Sequence, residues 1–134
     1  MSDLQSHSSV VQSTVSKPWG SYTDHYRSER CVFKIIQVAA NQRLSIQRHE
    51  QREEIWVVLS GSGYVEVDHQ FVMGSWIAPR RFFVQAPNRV EFIQKGQVHR
   101  LCAGPDGIVI AELQVGVCLE SDIVRLQDDY GRTG

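Results

Sequence analysis

Gln47, His49, Glu54 and His99 are the residues whose types and spacing could do chemistry together. Gln47 and His49 stand two apart in an alternating run, so their side chains leave one face of a strand. Glu54 opens the apolar run Ile55 to Leu59, which is expected to stop at Ser60-Gly61. Read as a hairpin, LSIQRHEQREEIWVVLSG aims an amide, an imidazole and a carboxylate at one point, and His99 in KGQVHRL supplies a second imidazole from a distant strand. Neutral imidazoles with a carboxylate and an amide oxygen suit one divalent first-row ion: zinc first, then manganese, cobalt, nickel or iron. Four protein ligands in a barrel still leave room on the ion for water or a small ligand. The plainer alternative is that His49 and His99 are hydrogen-bonded residues of a β core. A converging set of four favours the metal.

The elements that must position this set are short and strand-like. Cys31 to Val38 alternates, with Lys34 on one side among apolar neighbours, where a barrel interior would make its ammonium an anion site. Tyr64 to Val67, Phe71 to Ala78, Phe82 to Gln85, Val90 to Ile93 and Ile108 to Val115 continue the rhythm. Asp68-His69-Gln70 and Pro87-Asn88 read as turns, with His25 and His69 solvated. Asp122 to Tyr130 is expected as a short helix or an irregular wrap. Two packed antiparallel sheets, an all-β jelly-roll barrel with a central cavity, suit this pattern. Residues 1–16 read as a flexible tail and 17–134 as the barrel domain, with Trp19 of KPWGSY folded over a barrel edge.

Composition narrows the class of partner. A chain of 134 residues is one domain. With 22% charged residues and a formal net charge of −1, no basic field invites nucleic acid, so a small molecule or a protein is the expected partner. No apolar run reaches the length of a membrane span and no signal peptide is evident, so the expectation is a soluble, cytoplasmic protein. Cys31, Cys102 and Cys118 form no CxxC pair and are expected to be reduced and buried.

The ligand spacing, with Gly61 after the first group and Gly96 three residues before His99, resembles the two cupin motifs. The runs KPWGSY, LSIQRHEQREEIWVVLSG, GQVHRL, IAELQVG and DIVRLQDDYGR, in order from Lys17 to Arg132, resemble the cupin domain of type II mannose-6-phosphate isomerases, usually the C-terminal part of bifunctional enzymes that also transfer guanylyl groups. That resemblance implies a cupin fold (double-stranded β-helix) and the reaction mannose 6-phosphate to fructose 6-phosphate. It places the metal ligands on Gln47, His49, Glu54 and His99, and an arginine implicated in activity on Arg52. No counterpart of the nucleotidyltransferase part is present in this sequence.

Aldose–ketose isomerisation needs a base and a centre that stabilises negative charge on the sugar oxygens. The sequence leaves the base unidentified. Arginine forks suit the sugar phosphate, so Lys34, Arg43 and Arg100 are expected at the substrate, with Arg52 catalytic. The resemblance also implies a homodimer. Gln94 replaces a usual proline, Cys102-Ala103 departs from the pattern, and the stretch between Val67 and Gln94 is about ten residues longer than expected. Those departures leave the choice of substrate open, and two other readings stand beside the isomerase: a non-catalytic sugar-binding cupin in nucleotide-sugar metabolism, and an iron cupin dioxygenase that would use the same ligands.

Overall fold

Alternation of period two decides which side chains enter the barrel. In the strand Cys31–Val38, residues Val32, Lys34, Ile36 and Val38 are buried and the residues between them are not. The computed structural model describes residues 13–87 and 89–133, and every element among them is a strand. In chain order these are β1 (Ser13–Lys17), β2 (Gly20–Arg27), β3 (Cys31–Val38), β4 (Ile46–Arg48), β5 (Arg52–Val67), β6 (Gln70–Val72), β7 (Ser75–Ile77), β8 (Arg80–Gln85), β9 (Val90–Ile93), β10 (His99–Gly116) and β11 (Val124–Gln127).

The barrel is built on one long ribbon. β5 and β10 run antiparallel from Arg52↔Gly116 to Val67↔His99, with the register broken between Ala103 and Ile108. The two ends of the ribbon recruit different neighbours. Glu54–Val57 of β5 pair with β9, while β10 from Ile108 onward pairs with β3, which carries β2 and β1. Beyond the break, Ser62–Val67 pair with β8, and His99 pairs with β4, which carries β11. One bent ribbon therefore runs through both halves of a single nine-stranded sheet, and Glu54 and His99, from its opposite ends, meet in the interior.

Glycine makes the bend possible. Gly61 has φ 76°, and a Cβ there would sit 2.1 Å from the carbonyl oxygen of Gly107, which has the same φ. An L side chain at Gly61 would meet both a disfavoured dihedral and a backbone clash.

Inward positions grade from apolar to polar along the barrel. Ile36, Val58, Val65, Leu101, Ile108 and Ile110 make an apolar core with Trp19 buried against it, as expected of that residue. Lys34, Gln47, His49, Glu54, His99 and Glu112 are equally buried.

Several sequence expectations change. The Leu44–Gly61 stretch is not a paired hairpin: β4 pairs with β10 and β11, and β5 passes through Ser60-Gly61 without stopping. Ser13 to Ser16, assigned to the tail, pair with β2. Residues 1–12 of that tail, and Asn88 of the expected turn, lie outside the described residues. His25 belongs to β2 rather than a loop. Asp122 to Tyr130 holds β11 in place of a helix, because Val124 and Arg125 find open partners on β4. His69 is buried, not solvated. Cys102 and Cys118 are buried thiols and Cys31 is half-buried.

Gly61→Ala should lower unfolding free energy by roughly 2–4 kcal/mol in urea titrations. Gly74→Ala, at φ 83° with nothing near its Cβ, should cost about 1 kcal/mol. Equal effects would mean that backbone crowding at the bend does not matter.

Candidate metal centre

The bent ribbon brings His99, at one of its ends, against Glu54 near the other. His49, immediately after β4, completes the group. The ligand-type atoms of His49, Glu54 and His99 lie within 4.8 Å of one another, and all three residues are buried. His49 Nε2 is 3.3 Å from Glu54 Oε2, and His99 Nε2 is 3.9 Å from Glu54 Oε1.

Both rings are held by their far nitrogens. His49 Nδ1 lies 2.7 Å from the carbonyl oxygen of Asp122, and His99 Nδ1 lies 2.8 Å from that of Gln97. A carbonyl only accepts, so each Nδ1 carries the proton and each Nε2 presents a lone pair to Glu54. The Asp122 carboxylate also accepts the backbone N–H groups of Glu50 and Gln51 at 2.9 Å, fixing the turn between His49 and β5.

Burial keeps both imidazoles neutral. Desolvation, then the neighbouring His49, pulls His99 down to about 3. Desolvation, then the Arg52 charge, lowers His49. Two imidazole Nε2 atoms and a carboxylate thus face one another. His99 Nε2 is buried without any hydrogen-bond partner. Such an acceptor-only group fits a cation, and carbonyl-anchored histidines are the usual outer support of a metal ligand. Gln47, cross-strand from His99 and inward on β4, borders the same pocket. Three of the expected ligands, His49, Glu54 and His99, therefore come together, and Gln47 lies alongside them.

Arg52 is there too. Its Nε donates to Glu54 Oε2 at 3.0 Å, Nη1 donates to the Leu119 carbonyl at 3.2 Å, and Nη2 lies 3.4 Å from His49 Nε2. Lys34 is inside the barrel, with Nζ 3.3 Å from Glu120 Oε1 and 4.1 Å above the Tyr22 ring.

Arg43 and Arg100 are elsewhere. Arg100 follows His99 on β10 and so leaves the opposite face of the sheet, where it borders a separate groove with Arg43. The expected substrate set is thus split, with Lys34 at the metal pocket and the two arginines outside the barrel.

Sequence reasoning missed Glu112. It is fully inside, its Oε1 accepting from Trp56 Nε1 at 3.0 Å and its Oε2 from Gln114 Nε2 at 2.9 Å. Trp56 Nε1 is also 3.0 Å from Glu54 Oε1, so one indole N–H bridges the two carboxylates. Burial, then the Glu54 charge, pushes Glu112 up to about 7. The signal was available: in IVIAELQV, Glu112 and Gln114 keep the parity of the buried Ile108 and Ile110. Also missed was Arg125, which borders the pocket with its buried Nε unpartnered.

A curled antiparallel barrel that holds Glu54 and His99 from opposite ends of one ribbon, and His49 from the turn after β4, defines a cupin. The sequence matches the family model for the mannose-6-phosphate isomerase C-terminal domain over residues 4–128, and the chain belongs to that family. It is 37% identical to the alginate biosynthesis protein AlgA of Pseudomonas aeruginosa, an alignment covering 98% of this chain and 24% of that protein. It is 31% identical to the mannose-1-phosphate guanylyltransferase of Escherichia coli, over 94% of this chain and 24% of the relative. The chain thus spans about a quarter of the length of these curated relatives. Among solved structures, the capsular polysaccharide assembling protein CapF of Staphylococcus aureus aligns with a TM-score of 0.72 at 18% identity, over 89% of this chain and 33% of CapF. An RmlC-like cupin of Shewanella frigidimarina aligns with a TM-score of 0.64 at 13% identity, over 82% of this chain and 87% of that one. Those likenesses bear on the fold alone. No helix among the described residues is long and apolar enough to cross a membrane.

The lowered histidines carry a pH signature in the metal-free protein. Unfolded histidines bind protons below about 6.5 while the buried pair resists, so the unfolded state binds more protons there and folding stability falls on acidification. For His99 that loss should continue down to about 3. Urea titrations in chelator at pH 7.5 and 5.5 should show the drop, and His99→Gln should flatten it. An unchanged slope in that variant would contradict a neutral buried imidazole.

Proposed function

We propose that this chain is a metal-dependent isomerase interconverting mannose 6-phosphate and fructose 6-phosphate. The observation that carries the reading is the pair of carbonyl-anchored imidazoles converging with Glu54 beside a second buried carboxylate, Glu112. Membership of the isomerase-domain family supports the same substrate class. His49, Glu54 and His99, with Gln47 alongside, would hold the ion, and zinc is the first choice among the divalent ions such donors accept.

A bound divalent ion would polarise the sugar's C1 and C2 oxygens and stabilise the negative charge they develop. The protein groups account for the rest. Glu112 is the base: it takes the proton from C2 of the aldose and returns it to C1, while a proton passes between O1 and O2. It suits the task because its oxygens accept only from the neutral donors Trp56 and Gln114, so no arginine ties up its lone pairs. Arg52 adds positive charge next to His49 and Glu54, where the sugar oxygens are drawn.

The phosphate falls to the pocket mouth. Lys34 and Arg125 border it, and Glu120, 56% exposed at its side chain, now occupies Lys34 and Arg27. An incoming phosphate would displace that surface carboxylate and gain two charge-assisted contacts. Arg43 and Arg100 take no part in this step.

Metal-reconstituted protein given mannose 6-phosphate should yield fructose 6-phosphate. Glu112→Gln should lower kcat by about 10²–10⁴-fold with metal still stoichiometric. His49→Ala should lose both metal and turnover. A wild-type protein that retains its metal, gains thermal stability from the sugar phosphate and produces no ketose would overturn the isomerase in favour of a sugar-binding cupin. Oxygen consumption with iron would instead indicate a dioxygenase.

A further inference from the structure

Arg100 poses a problem that the metal centre does not solve. Its side chain is only 2% exposed, yet its Nε has no hydrogen-bond partner. Its Nη2 donates to a neutral acceptor, Gln127 Oε1, at 3.1 Å. The nearby carboxylates are hydrogen-bonded by other side chains. Asp129 holds Arg43 through contacts of 2.6 and 2.9 Å, and Glu66 accepts from His69 Nε2 at 3.1 Å and Arg81 Nε at 3.0 Å. Burial, then the adjacent Arg43 charge, lowers the Arg100 pKa. Glu66 and Asp129 act on Arg100 only through space, and a buried guanidinium that no carboxylate bonds directly leaves a donor that an oxyanion would satisfy.

Space for one exists. Arg100 and Arg43 border a groove of about 550 Å³ on the outer face of the barrel, together with Glu66, whose two oxygens are taken up by His69 and Arg81, and with His69, Phe71 and Trp76. Phe71 and Trp76 belong to β6 and β7, a two-stranded hairpin separate from the main sheet whose Met73-Gly74 turn has positive φ at both residues. This hairpin lies in the stretch whose extra length the sequence flagged. His69 Nε2 gives its proton to Glu66, so its buried and unpartnered Nδ1 is a bare acceptor. The groove therefore offers cationic donors, one acceptor for a hydroxyl, and aromatic rings for an apolar face.

We propose that this outer groove is a second ligand site, distinct from the metal pocket, which takes the phosphoryl group of a small hydroxylated metabolite on Arg100 and Arg43. The ligand's hydroxyl meets His69 Nδ1, and Trp76 covers its carbon face.

The test is a titration of the full chain with inorganic phosphate and with glycerol 3-phosphate, followed through the arginine Nε–H resonances in ¹⁵N-labelled protein. The Arg100 resonance should move saturably. Arg100→Gln should weaken phosphate binding about tenfold, the size of one charge-assisted contact. His49→Ala should leave that binding unchanged, and glycerol 3-phosphate should bind more tightly than phosphate. An unmoved Arg100 resonance, equal affinity in Arg100→Gln, or loss in His49→Ala would overturn the site. Equal affinity for the two probes would overturn the hydroxyl contact. If Arg100→Gln fails to fold, Arg43→Gln, a change at a partly exposed residue, decides: weaker binding supports the site and unchanged binding overturns it.

Discussion

Two imidazole nitrogens and two carboxylates share one buried end of the barrel, and much of the structure can be understood as the means of tolerating them. Burying such a set costs free energy unless cations or donors answer it. Trp56 answers with one N–H shared between Glu54 and Glu112, Gln114 with another, and Arg52 with its guanidinium. Those donors leave His99 Nε2 unserved, which is why the cluster suits an ion. The carbonyls of Asp122 and Gln97 make the arrangement directional, because each forces the proton onto the outer nitrogen of its ring.

The same cluster dictates what the backbone must do. Glu54 and His99 sit toward opposite ends of the β5–β10 ribbon and meet only because the ribbon bends where Gly61 and Gly107 approach each other. The strands β3, β4, β8 and β9 then flank the ribbon in two sets, one on each side of the bend. The apolar interior around Ile108, Ile110 and Val65 holds the two halves together. The polar end can be assembled because that apolar part supplies the stability.

Strand parity separates two chemistries in one sheet. His99 looks into the barrel and Arg100, the next residue, looks out; Gln47 and Ile46 divide in the same way. The inner face has carboxylates and neutral imidazoles around a small pocket of about 100 Å³. The outer face has a buried arginine beneath an added hairpin.

Much of this was legible in the sequence. Period-two alternation placed the strands at Cys31–Val38 and Val90–Ile93, and the spacing of Gln47, His49 and Glu54 with a later His99 marked the centre, because alternation and ligand identity are local properties. What the tertiary structure alone decided is non-local. Whether β5 stops or bends at Gly61 depends on the approach of Gly107, far along the chain. Lys34 became an interior cation, and Glu112 a buried carboxylate, through strands that pair from distant sequence positions. Arg43 and Arg100 looked like substrate groups because an arginine's chemistry is written in its identity. The face it serves follows from sheet register and closure, and those are settled only when the whole barrel packs.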